Sequence, residues 1–219
     1  MLDISKVKTY SVKARQSKVA VGDFARPLAK GASFSRFYQS LPDILKARDF
    51  RVVVDAIAKA RRQNKSVIFM AGAHVIKCGL NPVVIELIKK KIITCLCLNG
   101  AGIIHDFEIA FQGRTSEDIG ENLKHGRFGM AKETAEFINH AVSEGVAEGL
   151  GLGSSLAKKI SETKLPHKNL SIIFNAYKHK VPVCVFVAVG TDIIHQHPSF
   201  NASITAEGSL RDFHLLTEN

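Results

Sequence analysis

The chain has 219 residues, 46% hydrophobic and 23% charged, with 16 Gly and 6 Pro, the composition of a globular protein with room for one substantial core or two small ones. It lacks the ~20 uninterrupted apolar residues of a membrane helix, and Met1-Leu2-Asp3-Ile4-Ser5-Lys6 offers no apolar signal region, so neither a membrane partner nor a secretory leader is expected. The net charge of +10 comes from residues 1–65, which hold 15 Lys/Arg against 5 Asp/Glu; without aromatic interleaving it reads as a solvated basic face, with no nucleic-acid partner expected.

In chain order, residues 1–40 lack sustained periodicity and are expected to form a basic arm ahead of a single α/β domain over 41–219. Ser40-Leu41-Pro42-Asp43 resembles a helix start, with Pro near the first turn and Asp favouring the dipole. From Ile44, apolar Leu45, Ala56, Ile57 and Ala60 alternate with Arg48, Arg51, Lys59 and Arg62, which predicts an amphipathic helix ending near Asn64. Three apolar runs follow. Residues 66–71 (SVIFMA) lead into Gly72-Ala73-His74, 92–98 (IITCLCL) into Asn99-Gly100-Ala101-Gly102, and 181–189 (VPVCVFVAV) into Gly190-Thr191-Asp192. Their near-continuous apolar character predicts strands covered on both faces. Helical patterns at 82–91, 117–125, 131–146, 156–164 and 169–180 separate them and predict a parallel sheet with right-handed crossovers. Gly149-Leu150-Gly151-Leu152-Gly153 follows a helix and reads as an interhelical turn. Cys78, Cys95, Cys97 and Cys184 form no CxxC pair, so reduced, buried thiols in a cytoplasmic protein are expected, without metal-thiolate chemistry.

Ligands of open parallel sheets bind beyond the carboxyl ends of the strands. The three junctions there carry His74 and Lys77; Asn99, Gly100, Gly102, His105, Asp106 and Glu108; and Thr191, Asp192, His195 and His197. Gly100 and Gly102 suit either a close backbone approach to phosphate or a tight βα turn. Asn99-Gly-Ala-Gly102 is not a GxGxxG fingerprint. His195 and His197, two apart in an extended segment, face one side and suggest a metal site with His105 or Asp106, although no local spacing fixes a third ligand. His125, His140, His167 and His179 lie on polar helical stretches and are expected to be solvated.

The run 67–108, Gly190-Thr191-Asp192 and Ser209-Leu210-Arg211-Asp212-Phe213 together resemble the deoxyhypusine synthase family, specifically its bacterial synthase-like branch, over residues 40–219. The most specific pieces are LNGAGIIHDFE (98–108) and VAVGTDIIHQHP (187–198). The resemblance implies a parallel-sheet, Rossmann-like NAD-binding domain with helices on both faces. It implies NAD held by His74, Gly79, Asn99, Gly100, Gly102, Thr191 and Asp192, and an amine such as spermidine held by His105, Asp106, His195 and His197. It further implies NAD-dependent aminobutyl transfer to a protein lysine, and a homo-oligomer (dimer or tetramer) with cofactor sites at a dimer interface. Two departures stand out. The family has acidic residues where this chain has His105 and His197, and a neutral imidazole does not replace a carboxylate's charge. No Lys here matches the family's imine-forming Lys, which lies in a C-terminal segment, so the domain is expected to be incomplete at that end and its transferase activity is left open. A metal-dependent hydrolase built on His195, His197 and Asp106, and a non-catalytic subunit or remnant, are the alternatives.

Overall fold

A computed structural model describes residues 3–218, which divide into two compact units between Lys59 and Ala60. No helix among the described residues is long and apolar enough to cross a membrane.

The first unit holds three 3-10 turns (Ile4–Lys6, Val12–Ala14 and Val21–Asp23), helix α1 (Phe34–Ser40) and most of α2 (Leu45–Arg62). The Ser33 hydroxyl caps α1 by accepting from the Arg36 N–H. The Arg51 guanidinium donates to the Tyr38, Gln39 and Leu41 carbonyls and lies 5.4 Å from the centre of the Tyr38 ring. None of its described residues is buried. Asn64, beyond the end of α2, takes φ 52, the left-handed conformation Asn tolerates.

The second unit runs β1 (Ile68–Ala71), α3 (His74–Lys77), α4 (Asn81–Lys89), β2 (Cys95–Asn99), α5 (Gly100–Gln112), α6 (Ile119–Lys124), α7 (Lys132–Ala147), α8 (Leu152–Glu162), α9 (Ile172–Lys178), β3 (Val183–Phe186) and α10 (Ala202–Thr217). The strands form a parallel sheet in the order β1-β2-β3, with Ile68 opposite Cys95 and Leu96 opposite Val183. Each strand is shorter than its apolar run, because ladder pairing and not hydrophobicity sets its ends.

Side chains alternate across the sheet. Leu96, Leu98, Val183 and Val185 join the main core with Ile88, Ile103, Phe107, Ile138, Leu156 and Ile172. The opposite face carries Cys95, Cys97 and Cys184, packed against Phe186 and the α10 residues Leu215 and Leu216. β1 departs from the expectation of burial on both faces: Ile68 is 42% and Met70 62% exposed. Cys78, beyond the end of α3, is likewise exposed and not buried.

Two buried carboxylates tie the elements together. The Asp106 side chain, on α5, accepts from the Ser171 hydroxyl, from the Ile172 and Ile173 N–H groups (2.8 and 3.2 Å) and from the Asn81 amide at 3.4 Å. It therefore satisfies the otherwise unpaired first turn of α9. Asp212, on α10, accepts with Oδ2 from the Gly153 and Val185 N–H groups, both at 2.7 Å, and so joins α10 to α8 and β3. Burial pushes the Asp106 carboxyl up to about 6, against the donors from Ser171, Ile172 and Ile173, which pull it down.

Replacing Asp106 with Ala strands these donors and is expected to cost about 3 kcal/mol, read by denaturant unfolding. The carboxyl's folded-state value lies above its ordinary 3.8. Its contribution is therefore fullest below that value and is lost as pH rises through about 6. Relative to Asp106→Asn, the wild type should lose roughly 3 kcal/mol between pH 4 and 7; parallel unfolding curves that do not converge or cross with pH would contradict this.

Candidate functional site

The chain turns directly from strand into helix at Asn99, whose carbonyl oxygen Oδ1 accepts from the Gly102 N–H at 2.8 Å and caps α5. The junction residues 100–108 beyond the second strand are therefore helical. A helix rotates each successive residue by about 100°, so His105 and Asp106 diverge. Asp106 enters the core to cap α9, and His105 faces a cavity of about 490 Å³.

The cavity lies beyond the carboxyl ends of the strands and is lined by Lys77, Ala101, His105, Glu108, Thr115, Glu117, Gly129, Thr134, Thr191 and Asp192, among others. Residues 100–105 and 191–192 thus meet at one place. Their contact is tight: a Cβ built on Gly100 would stand 1.8 Å from Asp192 Oδ2, so only a glycine leaves room for that carboxylate. Gly129, at φ 75, makes the other close approach, with its Cβ position 2.6 Å from that of Ile193 and its N–H donating to Glu117 Oε1 at 2.9 Å.

Within the cavity, a chain of three side chains sets the state of His105. The Thr115 hydroxyl donates its one proton to Glu108 Oε2, and the Thr134 hydroxyl donates to Glu108 Oε1 at 3.1 Å. Thr115 is also hydrogen-bonded to His105 Nδ1. Having given its proton to Glu108, it can only accept there, so Nδ1 carries the ring hydrogen and Nε2 keeps the lone pair. Burial lowers the His105 pKa below the usual 6.5; Glu108 opposes this, and Lys77 and His74 add to it. The ring is therefore a neutral base at neutral pH. Burial also raises the Asp192 carboxyl, opposed by His195.

The remaining expected residues have other placements. His195 is nearly buried, accepts at Nδ1 from the Gly190 and Asp192 N–H groups (both 3.1 Å) and packs on Phe200 with ring centres 4.4 Å apart. It orders the Gly190–Asp192 turn and does not line the cavity. His197 Nδ1 pairs with the Ser199 hydroxyl at 2.9 Å. His195, His197 and Asp106 are not brought together as a ligand set. Among the described residues, the group of three or more His, Cys, Asp or Glu close enough to share an ion is Cys95, Cys97 and Cys184. His74 is exposed at the start of α3, and Gly79, at φ 73, forms the left-handed turn between α3 and α4. Asn99, Gly100 and Gly102 build the turn and cap. Of the residues expected to hold cofactor or substrate, His105, Thr191 and Asp192 line the cavity. Thr115, Glu117 and Thr134 were not anticipated, since each sits in a polar stretch without a motif.

No family model matches the sequence, and no curated protein matches it. Among solved structures, the chain is similar to the apo crystal structure of ArgZ, an arginine dihydrolase from the ornithine-ammonia cycle in cyanobacteria, with a TM-score of 0.48 and 16% identity over 81% of this chain. The chain spans 23% of that protein's length.

Gly100→Ala should destabilise the protein, because the new methyl must displace Asp192. A double-mutant cycle with Asp192→Ala should show a coupling of about 1–3 kcal/mol, and additive effects would refute the contact. Thr115→Val should release His105 from its single tautomer, read from the ring nitrogen shifts in NMR spectra.

Proposed function

We propose that the cavity is the amine site of a deoxyhypusine synthase-like protein, in which His105 accepts a proton from a bound polyamine or related small amine. The observation that carries this reading is the Thr115 hydrogen bond to Glu108, which fixes the His105 proton on Nδ1 and leaves Nε2 as a base on a residue lining the cavity. Asp192, Glu108 and Glu117 supply the negative charge that a cationic amine requires, in place of the carboxylates the family has where this chain has His105 and His197. A neutral His105 adds no opposing charge, and it can take a proton from an ammonium group to expose the amine's lone pair. An ammonium group beside Asp192 would pull that carboxyl's pKa back down, against the effect of its burial.

The resemblance extends this reading to NAD-dependent aminobutyl transfer to a protein lysine, by a Rossmann-like domain in a cytoplasmic homo-oligomer. The residues do not fit the pyrophosphate of NAD at the start of α5. Asp192 fills the space over Gly100 and places a carboxylate there, and Asn99 takes the Gly102 N–H, so a phosphate would meet a like charge and lose that donor. The proton transfer at His105 is independent of that cofactor.

Calorimetry of the full chain with spermidine and putrescine tests the amine site. Asp192→Asn should weaken binding at least about tenfold. Absence of polyamine binding by folded protein, or binding indifferent to Asp192, would overturn the reading. Because burial lowers His105, binding should persist below pH 6.5 and then fall as the ring becomes cationic, a limb that His105→Gln should remove.

A further inference from the structure

Cys95 and Cys97 are two apart on β2 and so share a face, and the parallel register sets Cys97 beside Cys184 of β3. Cys95 Sγ lies 3.8 Å from Cys97 Sγ and 3.9 Å from Cys184 Sγ, and all three sulfurs lie within 4.8 Å of one another. All three side chains are at most 1% exposed. Thiolates at about 2.3 Å from one tetrahedral ion stand roughly 3.8 Å apart, and around a trigonal ion roughly 4.0 Å apart. The spacing here is that of a ligand shell, and far longer than the ~2.05 Å of a disulfide.

Asp212 is fully buried and fastens α10 over this part of the sheet, with Oδ2 accepting from the Gly153 and Val185 N–H groups and Oδ1 turned toward Gly151. Phe186, Leu215 and Leu216 pack against the cluster as an apolar wall. Three buried thiols whose sulfurs converge under an apolar wall are suited to a soft cation. From this geometry we propose that Cys95, Cys97 and Cys184 bind a thiophilic d10 metal ion, Zn(II) or Cu(I), as a closed structural site that locks β2 to β3 beneath α10. Soft thiolate ligands select these ions over hard cations, and the complete burial leaves no open position for substrate. On binding, each thiol gives up its proton to solvent and its sulfur lone pair forms the metal bond, with no change of oxidation state.

The test uses the full chain, reduced and refolded without metal, with one equivalent of Zn(II), or with one equivalent of Cu(I) under anaerobic conditions. Cd(II) serves as spectroscopic probe. One ion should be retained per chain, Cd(II) should give a sulfur-to-metal charge-transfer band, and the melting temperature should rise by roughly 5–10 °C at a hundredfold excess over Kd. Cys97→Ser and Cys184→Ser should each weaken binding at least about tenfold, whereas Cys78→Ser should retain it. Absence of the Cd(II) band and of retained metal in refolded wild-type chain would overturn the site, whether or not the variants fold. So would a band that survives Cys97→Ser or disappears in Cys78→Ser.

Discussion

The Asp106 carboxylate, without contact with solvent, is the interaction on which the arrangement of the second unit depends. It sits on α5, immediately after the central strand, and receives the first N–H groups of α9, which leads into the third strand. The cost of burying a carboxyl is offset by four donors that would otherwise be unpaired in the core. α5 is thereby fixed in rotation, and the direction in which His105 projects follows from that fixed rotation. One carboxyl thus sets the orientation of the neighbouring residue that faces the cavity.

The cavity chemistry is a matter of proton placement more than of charge count. Glu108 accepts from two threonines, so its role is to hold Thr115 with its oxygen lone pair toward His105. Thr115 and Glu108 stand behind the imidazole in the way that orienting carboxylates stand behind other basic histidines. Asp192 reaches the same space from the loop after β3, made possible by the missing side chain at Gly100. Two glycine-dependent contacts, of Gly100 with Asp192 and of Gly129 with Ile193, therefore seat the segment after β3 against the site.

Much of this was legible in the sequence, and the reasons for the rest are physical. Three apolar runs bounded by Gly and separated by helical patterns gave a parallel sheet, and the convergence of residues 100–105 with 191–192 followed from where parallel sheets bind ligands. The pairing of His105 with Asp106 did not survive, because the helix begins at Gly100 without any intervening loop. The near-continuous apolar run of β1 concealed that Ile68 and Met70 face outward on a strand covered on one side only. His195 looked like a ligand by its spacing to His197, but its ring nitrogen is taken by the turn it stabilises. Thr115, Thr134 and Glu117 come from segments without a motif. The cysteine cluster depends on strand register, which no spacing within one strand reveals.

The order of the strands has a consequence for how the molecule is assembled. β1 meets β2 after a short helical excursion, whereas Leu96 finds Val183 only after five helices have been laid down between them. Closing so long a segment carries the larger loop entropy, and non-local parallel pairing is slow. The docking of β3 is therefore the late event in folding, and it brings in the Asp192 wall of the cavity and the third sulfur of the cluster in a single step.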